Sequence, residues 1–430
     1  MKVLWLCNII LPKVAAKMGL AASNKEGWLS GACAAAEKGG EFELGVCFPV
    51  GKENDGFYLE DGVKYYGFYE NTSAPEVYDP ALEDRLSEIV KKFDPDIVHI
   101  FGTEFPHTRA MAEVMKDKPG RILIGIQGVL DIYKDHFFDG LPDRVINRVT
   151  FRDLVRKDSL KIQQNKYALR AVNEIAALKI AGNVTGRTPF DKEFTARINP
   201  GAKYHFMNET LRPEFYEHSL AGGAVRENVQ THSIFLSQGN YPIKGAHMML
   251  AALEKLKKKY PDAKVYIAGD NITRHSTLKE KLKLSSYGKY LLELIDEYGL
   301  EDSVEFMGSL PVSDYIDRLS KSSVFVCPSS IENSPNSLGE AMMLGVPCVS
   351  ANVGGVSGIF DDGRDGILYD FSDVDALLTA VSEMFDHPDK ADAYAAAASA
   401  HAMATHDPEA NYSRLIEIYK EIAGEDSICV

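Results

Sequence analysis

The sequence predicts an α/β protein made of two doubly wound, Rossmann-like domains. Three observations lead there. Its 430 residues exceed what one hydrophobic core serves and suit two domains of about 200 residues each. Short apolar runs alternate with longer amphipathic stretches throughout, the pattern of parallel α/β units. The runs are unbroken, as expected of strands covered on both faces.

In the first half the candidate strands are VLWLCNII, FELGVCF, DIVHIF, RILIGIQ, EIAALKIAG and KYHFM. In the second half they are SIFLSQG, KVYIAGD, VEFMG, VFVCPS and VPCVSA. Between the series lies the polar, glycine-containing stretch NETLRPEFYEHSLAGGAVRENVQTHS, which places a boundary near residue 210. The expected domains are therefore 1–209 and 210–400. They are followed by a C-terminal segment, 401–430, with helical spacing at Leu415, Ile416, Ile418 and Ile422. Two such domains facing a central cleft would bind ligand at the C-terminal ends of their strands.

The formal charge of −15 argues against broad nucleic-acid binding, which needs a basic footprint. Six scattered cysteines without a C-x-x-C pair argue against zinc and fit a reducing cytoplasm. No run approaches the roughly 20 apolar residues of a spanning helix. KVLWLCNIIL reads as a first buried strand rather than a signal peptide, because Asn8 interrupts it. Cys429 lies one residue from the end, so it does not form a prenylation signal.

The most informative stretch is SSIENSPNSLGEAMMLGVPCVS, residues 329–350. It reads as a loop after a strand, then a helix with Ser334 as N-cap and Pro335 at the first helical position. Gly345 is expected to stop that helix. First-turn N–H groups of Asn336 and Ser337 would suit an anionic oxygen such as a diphosphate. Glu340, one turn in, would face a ribose diol, and Glu332 the hydroxyls of a sugar.

This E-x7-E pattern, followed by EAMMLGVPCVSANVGG, resembles the signature of retaining GT-B glycosyltransferases of family 4. The resemblance implies GT-B architecture, with the C-terminal helix crossing back to the first domain. It implies backbone contacts to the donor diphosphate from Asn336 and Ser337, a sugar contact from Glu332 and a ribose contact from Glu340, with Ser334 and Leu338 also in the donor site. Lys244, in FLSQGNYPIKGAHMML, matches the family's loop lysine, which neutralises the leaving diphosphate. Glu332 and Lys244 are thus the implied catalytic residues. Gly239 and Asn240 occupy the place where the family usually carries an Arg, and Arg274 could substitute for that charge. Gly27 matches a glycine loop that approaches the donor phosphates.

The chain departs from the pattern elsewhere. Ser334-Pro335 replaces the common Phe-Gly, and Pro335 has no N–H to offer. Gln127 stands where the family commonly has a His, so no acceptor-activating base is evident. The front-face mechanism proposed for the family needs none, since the leaving phosphate takes the acceptor proton. Glu104, His107, Gln127 and Arg187 are the acceptor-site candidates. Asp94 and Asp96 form a D-x-D that precedes its strand and reads as a turn. No metal and no cofactor beyond the donor, a UDP-sugar by preference, is expected.

One feature lies outside the resemblance. Residues 144–170 carry Arg144, Arg148, Arg152 and Arg156 four apart, followed by Lys157, Lys161, Lys166 and Arg170. A continuous helix would gather these on one face as a contact for anionic membrane or a lipid-linked pyrophosphate.

The expected function is metal-independent transfer of a hexosyl unit from a UDP- or GDP-sugar to a hydroxyl of a glycan or lipid-linked glycan, with retention. Polysaccharide biosynthesis at the inner face of the membrane would be its setting. The alternatives are a nucleotide-sugar 2-epimerase of similar fold and a catalytically weak sugar-nucleotide-binding protein.

Overall fold

A computed structural model describes residues 1–20, 27–219 and 226–424. Residues 24–26 before Gly27, the Gly222-Gly223 pair of the expected boundary and Cys429 lie outside the described residues.

The chain forms two compact units, each assembled from separated segments. The first comprises Met1–Ile132, Lys166–Pro213 and His406–Val430, the second Tyr133–Asn165 and Glu214–Thr405. The chain changes unit close to the expected boundary, between Pro213 and Glu214, but residues 133–165, expected in the first domain, pack with the second unit. The ties are long-range and invisible in a local reading. Ser286 donates its Oγ–H to the Val145 carbonyl at 2.8 Å and its N–H to Asp153 at 3.2 Å. Arg144 and Arg148 both bond Glu293, at 3.0 and 2.8 Å. His247 Nε2 lies 3.2 Å from the Asp139 carbonyl oxygen.

The first unit holds an eight-stranded sheet in the order β3-β4-β2-β1-β5-β6-β7-β8. Its strands are β1 Lys2–Leu6, β2 Glu43–Val50, β3 Gly56–Glu60, β4 Val63–Tyr69, β5 Ile97–Phe101, β6 Ile122–Gly125, β7 Asn183–Gly186 and β8 Lys203–Phe206. All pairs are parallel except the β3–β4 hairpin. EIAALKIAG, expected as a strand, is instead the end of the helix Leu160–Ile180, and the strand is the next run, Asn183–Gly186. An apolar run of this length fits a buried helix face equally well. Asp94 caps the helix Ala81–Phe93 in the left-handed conformation, and Asp96 accepts from the Lys2 N–H at 2.8 Å, so the D-x-D is a turn.

The helix Pro408–Ala423 completes this unit. Tyr419 is fully buried; its hydroxyl accepts from Trp5 Nε1 at 2.9 Å and lies 2.7 Å from His99 Nδ1. Indole can only donate, so the tyrosine oxygen is the acceptor in the first of these bonds. Burial holds His99 neutral, its pKa pushed down to about 3.

Glu174 is also buried in this unit. It accepts from Thr103 Oγ1 at 2.6 Å and from the N–H groups of Leu130 and Asp131 at 3.2 and 2.9 Å. Burial raises its pKa to about 7. A carboxyl whose folded pKa is raised gives stability that is complete below its unfolded value, about 4.5, and lost as pH rises through about 7. Urea denaturation midpoints should therefore fall between pH 5 and pH 8, and Glu174→Gln should reduce that fall.

The second unit holds a six-stranded, wholly parallel sheet in the order β11-β10-β9-β12-β13-β14. Its strands are β9 Gln230–Leu236, β10 Lys264–Ala268, β11 Val304–Gly308, β12 Ser322–Cys327, β13 Cys348–Ala351 and β14 Gly366–Tyr369. The chain builds outward from β9 through β10 to β11, then returns to β12 on the other side. The switch point between β9 and β12 leaves their two following loops as neighbours, the place where doubly wound sheets bind ligands.

Residues 144–170 are not one helix. Short helices at Asp143–Ile146 and Phe151–Arg156 precede Leu160–Ile180, and Thr150 with Asp153 forms a capping box that starts a new helix between Arg148 and Arg152. Of the expected cations, Arg144 and Arg148 are tied to Glu293, Arg152 to Asp153 and Asp158, and Lys166 to Glu76.

Candidate functional site

The loops after β9 and β12 bring together the two residues singled out as catalytic. Lys244 ends a short 3-10 turn, Pro242–Lys244, and its Nζ lies 2.5 Å from Glu332 Oε1. Ser329 donates to the same oxygen at 2.7 Å. Burial works against the charge on Lys244, but Glu332 outweighs it and holds the ammonium's pKa well above its ordinary value. Lys244 is therefore a fixed positive charge throughout the physiological pH range, held by a carboxylate that is itself buried.

Backbone contacts fix this geometry. Gly245 adopts φ +66°, and a Cβ there would collide with the Pro328 carbonyl, so the two loops approach as closely as glycine allows. Ser330 N–H donates to the Ile243 carbonyl at 2.8 Å, and Ser330 Oγ–H to the His136 carbonyl at 3.0 Å. On the far side, Gly355 N–H donates to the Glu332 carbonyl at 3.0 Å. The Asn333 N–H donates to the Tyr133 hydroxyl at 2.9 Å; burial, then Glu332, raises the Tyr133 pKa well above normal. Tyr133→Phe removes this hydrogen bond, and a loss of about 0.5–1.5 kcal/mol is expected in denaturant titration.

The helix after this loop runs Asn336–Met343. Its N-cap is Pro335, not Ser334, and no side chain caps it. Proline at that place holds the entering backbone extended, which moves the helix start one residue on. The first-turn N–H groups belong to Asn336 and Ser337, both partly exposed. Leu338, expected in the donor site, has a fully buried side chain, and its N–H donates to the Pro335 carbonyl at 3.0 Å. Glu340, one turn in, is buried.

Gly239 packs against Ile267 and Ala246. Asn240 lines a pocket of about 560 Å³ with Arg152, Arg156, Asp270, Arg274 and Lys283. Its side-chain oxygen is buried and has no hydrogen-bond partner among the described residues. Arg274, the proposed substitute charge, thus sits beside the residue it would compensate.

The remaining candidates belong to the first unit. Gly27 is the first residue of the helix Gly27–Gly39, where a Cβ would press on the Arg212 side chain. Gln127, just past β6, donates to Glu209, and Glu209 lies 3.1 Å from the Arg187 guanidinium just past β7. Glu209 follows β8, so three successive strand ends converge there. Glu104 accepts from the Gly128 N–H at 2.9 Å, and burial raises its pKa. His107, the remaining acceptor-site candidate, is 0% exposed, with Nδ1 2.6 Å from Glu70 and Nε2 2.8 Å from Asn8.

Sequence reasoning missed Tyr133, Ser329 and Glu209. Ser329 carried a weak signal, lying one tight turn before Glu332. Tyr133 and Glu209 carried none, because their partners are remote in sequence. A further group, Asp361, Asp365 and His401, brings potential metal-ligand atoms within 4.8 Å of one another. Its acids are already engaged, Asp365 by His401 at 2.6 Å and Asp361 by Arg364.

Residues 225–401, which enclose both loops of the site, match the family model described as glycosyl transferases group 1. That stretch belongs to the glycosyl transferases group 1 family. The group 1 stretch has relatives among characterised proteins. D-inositol 3-phosphate glycosyltransferase of Corynebacterium urealyticum is 27% identical over 180 residues, covering 42% of this chain and 41% of that one. The alignment thus spans about two fifths of that relative. Among solved structures, sucrose-phosphate synthase from Thermosynechococcus elongatus matches with TM-score 0.69 at 14% identity, covering 99% of this chain and 100% of that one. Anabaena Alr3699/HepE in complex with UDP and glucose matches with TM-score 0.64 at 16% identity, covering 98% and 100%. At such identities the likeness is one of fold, and the fold is GT-B.

Proposed function

We propose that the protein is a retaining glycosyltransferase, moving a hexosyl unit from a nucleoside diphosphate sugar to a hydroxyl of a glycan or lipid-linked glycan without a metal ion. The observation that carries this reading is the Lys244–Glu332 pair beside the side-chain-uncapped helix start at Asn336. A diphosphate placed there meets a permanent ammonium and first-turn N–H groups, the two features that stabilise a leaving diphosphate. The donor displaces Glu332 from part of its contact with Lys244 and turns that carboxylate toward sugar hydroxyls. Glu340 takes the ribose.

The bond from the anomeric carbon to the diphosphate oxygen breaks while the bond to the acceptor oxygen forms on the same face. The acceptor proton passes to the departing phosphate oxygen, so no side-chain base is required and Gln127 is no obstacle. Gln127, Arg187 and Glu209 are assigned to the acceptor, which they would position by hydrogen bonds. The setting is the cytoplasmic side of the membrane; no helix among the described residues is long and apolar enough to cross one.

Thermal-shift titration with UDP, GDP, ADP and their sugars tests the donor site. A rise in melting temperature with one nucleotide family, lost in Glu340→Ala, is expected. No shift with any of them would overturn the reading. Conversion of the donor sugar with no acceptor present would replace transfer by 2-epimerisation, and binding without any product would leave a binding protein.

A further inference from the structure

The second unit carries an apolar surface that the site does not use. The helices Phe151–Arg156 and Leu278–Leu282 each present an i, i+4 apolar pair, Phe151 with Val155 and Leu278 with Leu282. These four side chains line one shallow groove of about 390 Å³. They are 59%, 68%, 75% and 45% exposed, and Leu154 beside them is 67% exposed. Seven of the fifteen exposed large apolar side chains among the described residues lie in residues 149–162 and 278–282, so the exposure is a feature of this surface rather than scatter.

Cations rim the groove. Arg156, Lys279 and Lys283 line it directly, and Lys157, Lys161 and Lys281 are exposed on the same segments. None of the six makes an ion pair with a carboxylate among the described residues. Residues 143–165 and 270–289 together hold eleven Lys and Arg against five Asp and Glu, in a chain whose net charge is −15. The acids nearby are spent: Asp158 is tied to Arg152, and Glu280 caps its own helix.

We infer that this surface docks the protein on a bilayer rich in anionic phospholipid. The apolar side chains enter the headgroup–acyl boundary and the surrounding cations meet lipid phosphates. The surface differs from the single amphipathic helix expected over 144–170. Half of it comes from a helix more than 120 residues further along the chain, and Arg144, Arg148 and Lys166 are excluded because carboxylates already hold them. A second copy of the chain is a poor occupant, because a two-fold contact sets the same cations against each other.

Cosedimentation of the full-length protein with vesicles tests the inference. Binding to phosphatidylcholine–phosphatidylglycerol vesicles, weakening as salt is raised, and little binding to phosphatidylcholine alone are expected. Lys279→Glu/Lys281→Glu should lower the partition coefficient more than tenfold, at about fivefold for each cation removed. Val155→Ser/Leu278→Ser should weaken binding at every salt concentration. Both variants change exposed side chains away from Lys244, Glu332 and Glu340, so unchanged melting and nucleotide-induced shifts serve as the folding control. Wild-type protein that ignores anionic vesicles, or variants that bind as well as wild type, would overturn the inference. So would a dimer in light scattering that the serine variant abolishes without any vesicle binding, which would assign the groove to a second copy.

Discussion

Lys244→Ala lowers turnover roughly a hundred- to a thousandfold, with a much smaller change in the apparent affinity for donor. The lysine's charge matters most when the diphosphate departs, so its loss falls on kcat rather than on KM. Steady-state kinetics with the donor family identified by thermal shift gives the split. The substitution also strands Glu332, a buried carboxylate with Ser329 as its remaining side-chain donor, and such an uncompensated charge destabilises the fold. Lys244→Ala/Glu332→Gln separates the effects. Stability should return, because the second change removes the stranded charge, while turnover stays low, because the lysine is still absent and the sugar contact at Glu332 is altered as well. Recovery of turnover in the double variant would mean that the lysine acts only as a structural counter-ion.

Gly245→Ala has the second large effect, on stability and on activity together. The left-handed backbone alone costs a side-chain-bearing residue about 1–2 kcal/mol. The added methyl would also meet the Pro328 carbonyl, which is backbone and cannot rotate away. A total loss above roughly 3 kcal/mol is expected in urea denaturation. The loops carrying Lys244 and Glu332 are pushed apart by the same collision, so nucleotide-induced thermal shifts should shrink in the protein that remains folded. Gly363→Ala, at φ +73° with open space around the added methyl, is the comparison that isolates the conformational cost.

The sheets were legible where a buried strand is an unbroken apolar run: five of the six strands of the second sheet coincide with one, whereas β3, β4 and β7 of the first sheet, with polar or glycine positions inside them, were not expected. The two loops that carry Lys244 and Glu332 were legible because strand, loop and helix follow each other locally there, although the helix starts one residue later than expected. What failed was long-range or ambiguous. EIAALKIAG fits a buried strand and a buried helix face alike, and only packing decides. The partners of His107, Glu70 and Asn8, were hidden because nothing near it in sequence announces them. The basic segment looked like one helix because periodicity persists across the Thr150–Asp153 capping box, and its neutralising partner Glu293 lies 145 residues beyond Arg148. The groove at Leu278 was missed because LKEKL has too few residues to register as amphipathic.

The chain passes between its two units four times, leaving the first at residue 132 and returning to it finally at 406. During synthesis, the part made first is therefore finished last. Trp5 and His99 wait for Tyr419, which emerges about 200 residues after Pro213, roughly ten to forty seconds later at ordinary elongation rates. Until then a slot for the helix Pro408–Ala423 stands open on the nascent protein, lined by apolar groups. A ribosome stalled anywhere in the second unit should hold an unfinished first unit that chaperones recognise and proteases cut, and supplying the final helix as a separate peptide should close it.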